Sequence, residues 1–94
     1  MSEQKKILII DDGRVIHKMI REMFSGSQIK IIDAKDGIEG IAFIHQERPN
    51  LILLDWLMPK QGGWETFQQI QAEPQLRMIP LVVMSGRKDV SSSA

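Results

Sequence analysis

Three runs of the chain are apolar without interruption: Ile7–Ile10, Leu51–Leu54 and Leu81–Met84. None alternates apolar with polar positions. Continuous apolar runs of strand length predict strands buried on both faces, as in a parallel sheet covered by helices. A fourth run, Ile29-Lys30-Ile31-Ile32, predicts a strand nearer an edge, because Lys30 needs solvent. Between the runs the apolar spacing changes from continuous to helical. Ile16, Met19, Ile20, Met23 and Phe24 follow the i, i+3, i+4, i+7, i+8 pattern of a helix with one buried stripe. Gly26 and Ser27 punctuate its end.

A second helix is predicted from the N-cap Asp36 to about Gln46, with Ile38, Ile41, Ala42 and His45 on its stripe and Pro49 as its stop. Gly37 and Gly40 weaken it by up to ~1 kcal/mol each relative to alanine, so packing must hold it. A third helix is predicted over residues 64–72, with Trp64, Phe67 and Ile70 on one side as core. Pro74 and Pro80 bracket a loop into the last strand. The order βαβαβαβ, with short crossover helices, predicts a parallel α/β sheet with right-handed connections.

Composition narrows the class without changing that picture. The 94 residues leave room for one domain. Twelve Lys and Arg balance 12 Asp and Glu, which argues against a broad basic face for nucleic acid or an anionic membrane. The chain has no cysteine, so it has no disulfide framework, thiolate metal site or cysteine nucleophile. No secretion signal or bilayer-spanning stretch is visible, and the cytoplasm is the expected compartment. Residues 1–90 read as the domain and residues 91–94, Ser-Ser-Ser-Ala, as a linker or tag-like tail.

Ligands of open parallel sheets bind beyond the carboxyl ends of the strands. There the first strand delivers Asp11-Asp12, the third delivers Asp55 and the fourth delivers Ser85-Gly86. With the first strand beside the third, three carboxylates and a hydroxyl converge. Adjacent carboxylates repel, and a divalent cation removes that cost. Oxygen-only ligands suit Mg²⁺ or Mn²⁺, which commonly works with a phosphoryl group. The cluster therefore reads as a phosphoryl-transfer site with Asp55 as nucleophile. His17 and His45 are expected within helices, away from the acidic cluster. A dinucleotide site is disfavoured because no G-x-G-x-x-G follows the first strand. An aspartyl-phosphate hydrolase is disfavoured because the first strand ends in DDG rather than D-x-D.

The stretches KKILIIDD (5–12), LILLDWLMPKQGG (51–63) and PLVVMSG (80–86) resemble the receiver domain of two-component response regulators, the single-domain chemotaxis type included. The motif D-x-x-M-P-x-x-x-G from Asp55 to Gly63 is specific to that resemblance. It implies a flavodoxin-like, three-layer, doubly wound sheet, here a (βα)3β unit of strand order 2-1-3-4. Asp55 would be the phosphoacceptor, and the chain an acceptor rather than an enzyme. Asp11, Asp12, Asp55 and the Leu57 carbonyl would hold Mg²⁺ or Mn²⁺. Ser85 would be the switch hydroxyl, and the Gly86 N–H would bind a phosphoryl oxygen. Leu57 and Arg87 would tune how long the phosphoryl group survives. The partner would be a sensor histidine kinase or a phosphotransfer protein.

One departure bears on this reading. The family's lysine after a fifth strand would fall about twenty or more residues beyond Ser85, and Lys88 is too close to take that place. The expectation is a unit lacking the fifth strand and fifth helix. It would be impaired in phosphorylation and would self-associate through an open sheet edge. The alternative reading is a phosphorylation-independent interaction module on the same scaffold.

Overall fold

The computed structural model describes residues 4–56 and 62–84. Four parallel strands form one sheet: β1 (Lys6–Ile10), β2 (Lys30–Ala34), β3 (Leu51–Asp55) and β4 (Leu81–Met84). Their spatial order is β2-β1-β3-β4. Four helices connect them: α1 (Arg14–Met23), α2 (Gly37–Glu47), α3 (Gly63–Ala72) and the short α4 (Pro74–Arg77). This is the flavodoxin-like order predicted from the sequence. The segment between Pro74 and Pro80, predicted as a loop, contains the α4 turn, which Pro74 opens at its first position.

β1 is central, and its apolar run divides between two cores because successive side chains point to opposite faces. Leu8 and Ile10 enter the larger cluster with Ile32, Ile44, Ile52, Leu54, Ile70 and Leu76. Ile7 and Ile9 face α1, where Ile20 is buried and Ile16 and Phe24 pack beside it. The helix stripe predicted for α1 is thus split. Ile16, Ile20 and Phe24 lie four residues apart and share one face, whereas Met19 is 52% exposed and Met23 more so. A residue one position away is turned by roughly 100° around the helix, so Val15, Met19 and Met23 form an outer apolar row.

Two further predictions are corrected. β4 lies at a sheet edge among the described residues, as expected, but its Val82 and Val83 are each about half exposed, which corrects the reading of this run as buried on both faces. On α2 the buried positions are Gly37, Gly40 and Ile44, while Ile38 and Ala42 are exposed. The reason is close approach. A Cβ on Gly40 would lie 2.5 Å from Ile10 Cδ1, so the glycine lets α2 settle on β1. Asp36 caps α2 as predicted, accepting the Glu39 N–H at 2.8 Å. Arg48 ends it in the left-handed region at φ 52°, just before Pro49.

Candidate phosphoryl-transfer site

Asp11 and Asp12 lie just past the carboxyl end of β1, and Asp55 is the last residue of β3. Strand register puts Ile10 opposite Leu54, so both strands deliver their acids to the same end of the sheet. The three carboxylates offer oxygens that all lie within 4.8 Å of one another. Asp55 is 7% exposed, Asp11 is half-buried and Asp12 is exposed. The grouping predicted for Asp11, Asp12 and Asp55 is therefore present. Leu57, Ser85, Gly86 and Arg87 lie outside the described residues, as do Lys88 and the 91–94 tail.

Asp11 is held at three atoms. Its N–H donates to the Ala34 carbonyl at 3.0 Å, extending the β1–β2 ladder. Its Oδ1 accepts the Gly13 N–H at 2.6 Å, closing a tight turn. Its carbonyl accepts His17 Nε2–H at 2.6 Å. Burial pushes the Asp11 carboxyl above its ordinary 3.8. The Gly13 hydrogen bond and the His17 charge work against that rise, and the neighbouring Asp12 charge adds to it. The direction is that of a carboxylate lacking full compensation for its charge.

His17 corrects a prediction. Its position in a helix predicts a ring away from the cluster, yet the ring touches the Asp11 main chain. Its Nδ1 reaches Asp33 Oδ1 at 2.7 Å, and Arg21 pairs with the other Asp33 oxygen. A signal for this contact is present in the sequence. His17 and Arg21 are spaced i, i+4 on one helix face, and Asp33 follows the apolar part of the second strand. His45 is remote as predicted, 3.4 Å from Glu73. A cleft of about 490 Å³ opens beside Asp11 and Asp12 and is also lined by His17, Asp33 and Lys35.

The other flank is aromatic. Trp56 follows Asp55 and meets Trp64 edge-on at 5.8 Å between ring centroids. Trp64 stacks with Phe67 at 6.1 Å. Phe67 packs against the core as predicted, but Trp64 is 54% exposed, which corrects its assignment to the core. α3 can start this close to β3 because of Gly63. A Cβ there would fall 2.5 Å from Trp56 Cα and 2.6 Å from the Asp55 carbonyl oxygen. Glu65 reaches back to the Gly62 N–H at 3.1 Å and secures the helix start.

The donor set fits a hard divalent cation. It is made of carboxylate oxygens, with no sulfur or imidazole ligand in the group. A cation there would offset the charge crowding that burial imposes on Asp11.

Comparison with known proteins agrees with this geometry. The chain is 36% identical over 90 residues to response regulator Rcp1 of Synechocystis sp., covering 86% of this chain and 61% of that protein. It thus spans less than two thirds of that relative's length. A crystal structure of Mn²⁺-bound response regulator Rcp1 superposes with a TM-score of 0.79 at 33% identity, covering 92% of this chain and 70% of the other. The phosphorylated cyanobacterial phytochrome response regulator RcpA superposes with a TM-score of 0.82 at 32% identity, covering 97% and 71%. Residues 7–94 match the response regulator receiver domain, and the chain belongs to that family.

Proposed function

We propose that the chain is a phosphoacceptor in two-component signalling and that Asp55 takes the phosphoryl group. The observation carrying this reading is the convergence of the buried Asp55 with Asp11 and Asp12 at the carboxyl end of the two central strands. A phosphohistidine on a sensor histidine kinase or phosphotransfer protein is the donor. An Asp55 carboxylate oxygen attacks phosphorus, a P–O bond forms, and the P–N bond to the donor histidine breaks in line. The product is an acyl phosphate on Asp55. The chain acts as acceptor, not as an enzyme.

Asp11, Asp12 and Asp55, with the Leu57 carbonyl as the family resemblance implies, would hold Mg²⁺ or Mn²⁺. The cation would supply neutralisation of charge on the transferring oxygens. Asp11 and Asp12 set its place, and burial of Asp55 restricts water at the nucleophile. By the family resemblance, Ser85 and the Gly86 N–H would complete the phosphoryl contacts. A cytoplasmic setting goes with this reading, because a phosphohistidine donor must reach Asp55. No helix among the described residues is long and apolar enough to cross a membrane.

One finer point follows from the same reading. The 94-residue chain self-associates through β4, whose half-exposed Val82 and Val83 lie on an edge among the described residues. Sedimentation at micromolar concentration checks this point, and a clean monomer refutes it. The main test is incubation with acetyl phosphate and Mg²⁺, followed by intact-mass measurement. One added HPO3 unit that disappears with EDTA and in Asp55→Asn is the expected result. Metal-independent labelling, or labelling retained in Asp55→Asn, overturns the assignment.

A further inference from the structure

We infer that His17 is a positioning residue for the acidic turn, acting through the Asp11 carbonyl to fix the peptide that joins Asp11 to Asp12. The inference rests on the reading of the acidic cluster as a divalent-cation site.

The ring lies between two acceptors. Nε2 stands 2.6 Å from the Asp11 carbonyl oxygen, and Nδ1 stands 2.7 Å from Asp33 Oδ1. A carbonyl oxygen only accepts, so the proton of the bond to Asp11 is carried on Nε2. The side chain is 15% exposed, so water competes poorly for either bond. Asp33 is itself fixed. It sits in β2 in register with Ile9 of β1, and its second oxygen pairs with Arg21, one helical turn beyond His17. The ring is thereby referenced to the sheet through β2 as well as to α1.

The bond to Asp11 matters because of which peptide it holds. The sheet holds the Asp11 N–H through Ala34, and Gly13 holds the Asp11 carboxylate. The Asp11 carbonyl belongs to the next peptide plane, whose far side leads directly to Asp12. β1 has already ended at Ile10, and its register with β3 ends at Leu54. If the His17 bond is lost, this plane can turn about its flanking dihedrals and carry the exposed Asp12 carboxylate with it. Groups that orient ligands from outside the coordination sphere commonly change metal affinity by about tenfold to a hundredfold. A histidine that merely fastened α1 to the sheet would alter stability and leave the spacing of the carboxylates alone.

The two ring nitrogens can be tested separately. In His17→Gln the side-chain amide nitrogen would fall where Nε2 lies, and in His17→Asn it would fall where Nδ1 lies. The experiment titrates Mn²⁺ into the 94-residue chain and follows tryptophan emission, since Trp56 adjoins Asp55. Urea unfolding of each metal-free form runs in parallel. His17→Gln keeps the donor to Asp11 and binds Mn²⁺ within about threefold of the parent, whereas His17→Asn binds about tenfold or more weakly. The metal-free stabilities of the two variants are expected to be similar. Equal Mn²⁺ affinities for the two variants overturn the His17 assignment while leaving the cation site standing. Weakening that tracks lost stability in both variants also overturns it. A parent chain that gives no saturable Mn²⁺ response overturns the cation reading itself, and the His17 inference falls with it.

Discussion

The two ends of the sheet handle charge in opposite ways. At the amino ends of the strands, Glu47 closes α2 beneath two lysines. Lys6 Nζ donates to its carbonyl at 3.0 Å and to its Oε1 at 3.3 Å, and Lys30 Nζ reaches the same carboxylate at 3.4 Å. Asn50 ties in there too, accepting the Lys6 N–H at 2.8 Å. These bonds, Lys6 first and then Lys30, hold the Glu47 carboxyl below its ordinary 4.5. At the carboxyl ends, three carboxylates crowd together and burial pushes Asp11 the other way. One end is compensated internally and serves the fold. The other is left short of positive charge, which is the condition under which a cation or a phosphoryl group with its cation binds.

The most severe way to break this contrast is at Asp55. Asp55→Asn keeps the shape of the side chain and removes the nucleophile, so phosphoryl acceptance is expected to vanish. Intact-mass measurement after acetyl phosphate treatment reads this directly. Gly63→Ala comes next, because the added methyl would meet main-chain atoms of Asp55 and Trp56 that cannot rotate away. A destabilisation of about 1–3 kcal/mol is expected from such overpacking, read as a lowered urea midpoint. Gly40→Ala meets only Ile10 side-chain atoms and should be milder. A larger loss at Gly40 than at Gly63 would show that the β3–α3 approach is less rigid than the distances say.

Asp11→Asn sharpens the contrast, because its effects on fold and on binding have opposite signs. The folded-state carboxyl of Asp11 titrates above 3.8. The fold therefore prefers the protonated form, and stability falls as pH rises through that folded-state value. Asparagine imitates the neutral acid and can still accept the Gly13 N–H. The metal-free variant is expected to be more stable than the parent at neutral pH, with the gain fading below pH 3.8. Its Mn²⁺ affinity is expected to drop by at least about tenfold, since ligand charge sets the affinity of such sites. Urea melts with and without Mn²⁺ measure both effects. A variant less stable than the parent without metal would mean that Asp11 is not under electrostatic strain.

The sequence makes some of this legible and hides the rest for identifiable reasons. The β1 and β3 runs are readable because strands buried on both faces need no polar positions, and their ends lead directly to Asp11, Asp12 and Asp55. The inner face of α1 is misread because Met19 and Met23 are apolar yet lie on its outer side, and hydropathy does not record which way a helix turns. Gly40 looks like a weakness of helix propensity, and Gly63 like the closing residue of the motif that starts at Asp55. Their role is close contact with Ile10 and Trp56, which depends on how α2 and α3 approach the sheet. His17 reads as an ordinary helix residue because its partners come from separate segments, Asp11 just past β1 and Asp33 in β2. β4 is apolar throughout, so its hydropathy hides the half exposure of Val82 and Val83, while its place at a sheet edge among the described residues is readable.

The smallest effect tests the compensated end. Glu47 has a folded-state value below 4.5, so its ion pairs add stability above that pH, and the contribution is lost as pH falls through the folded-state value. Asp11 runs the other way, adding relative stability as pH falls toward 3.8. Acidification should therefore relieve the carboxyl end of the sheet and weaken the amino end, two effects of opposite sign. Glu47→Gln removes the second effect and leaves the first. At neutral pH its loss of stability should be smaller than that of Gly63→Ala, because exposed pairs contribute little. Raising the salt concentration should shrink the difference further, since exposed charges are screened. Mn²⁺ affinity should not change, as the substitution lies at the far end of the strands. Urea midpoints of the parent and Glu47→Gln from neutral to acid pH, at low and high salt, give the comparison. If Glu47→Gln shifts Mn²⁺ binding, the two ends are coupled through the sheet and do not act as separate electrostatic regions.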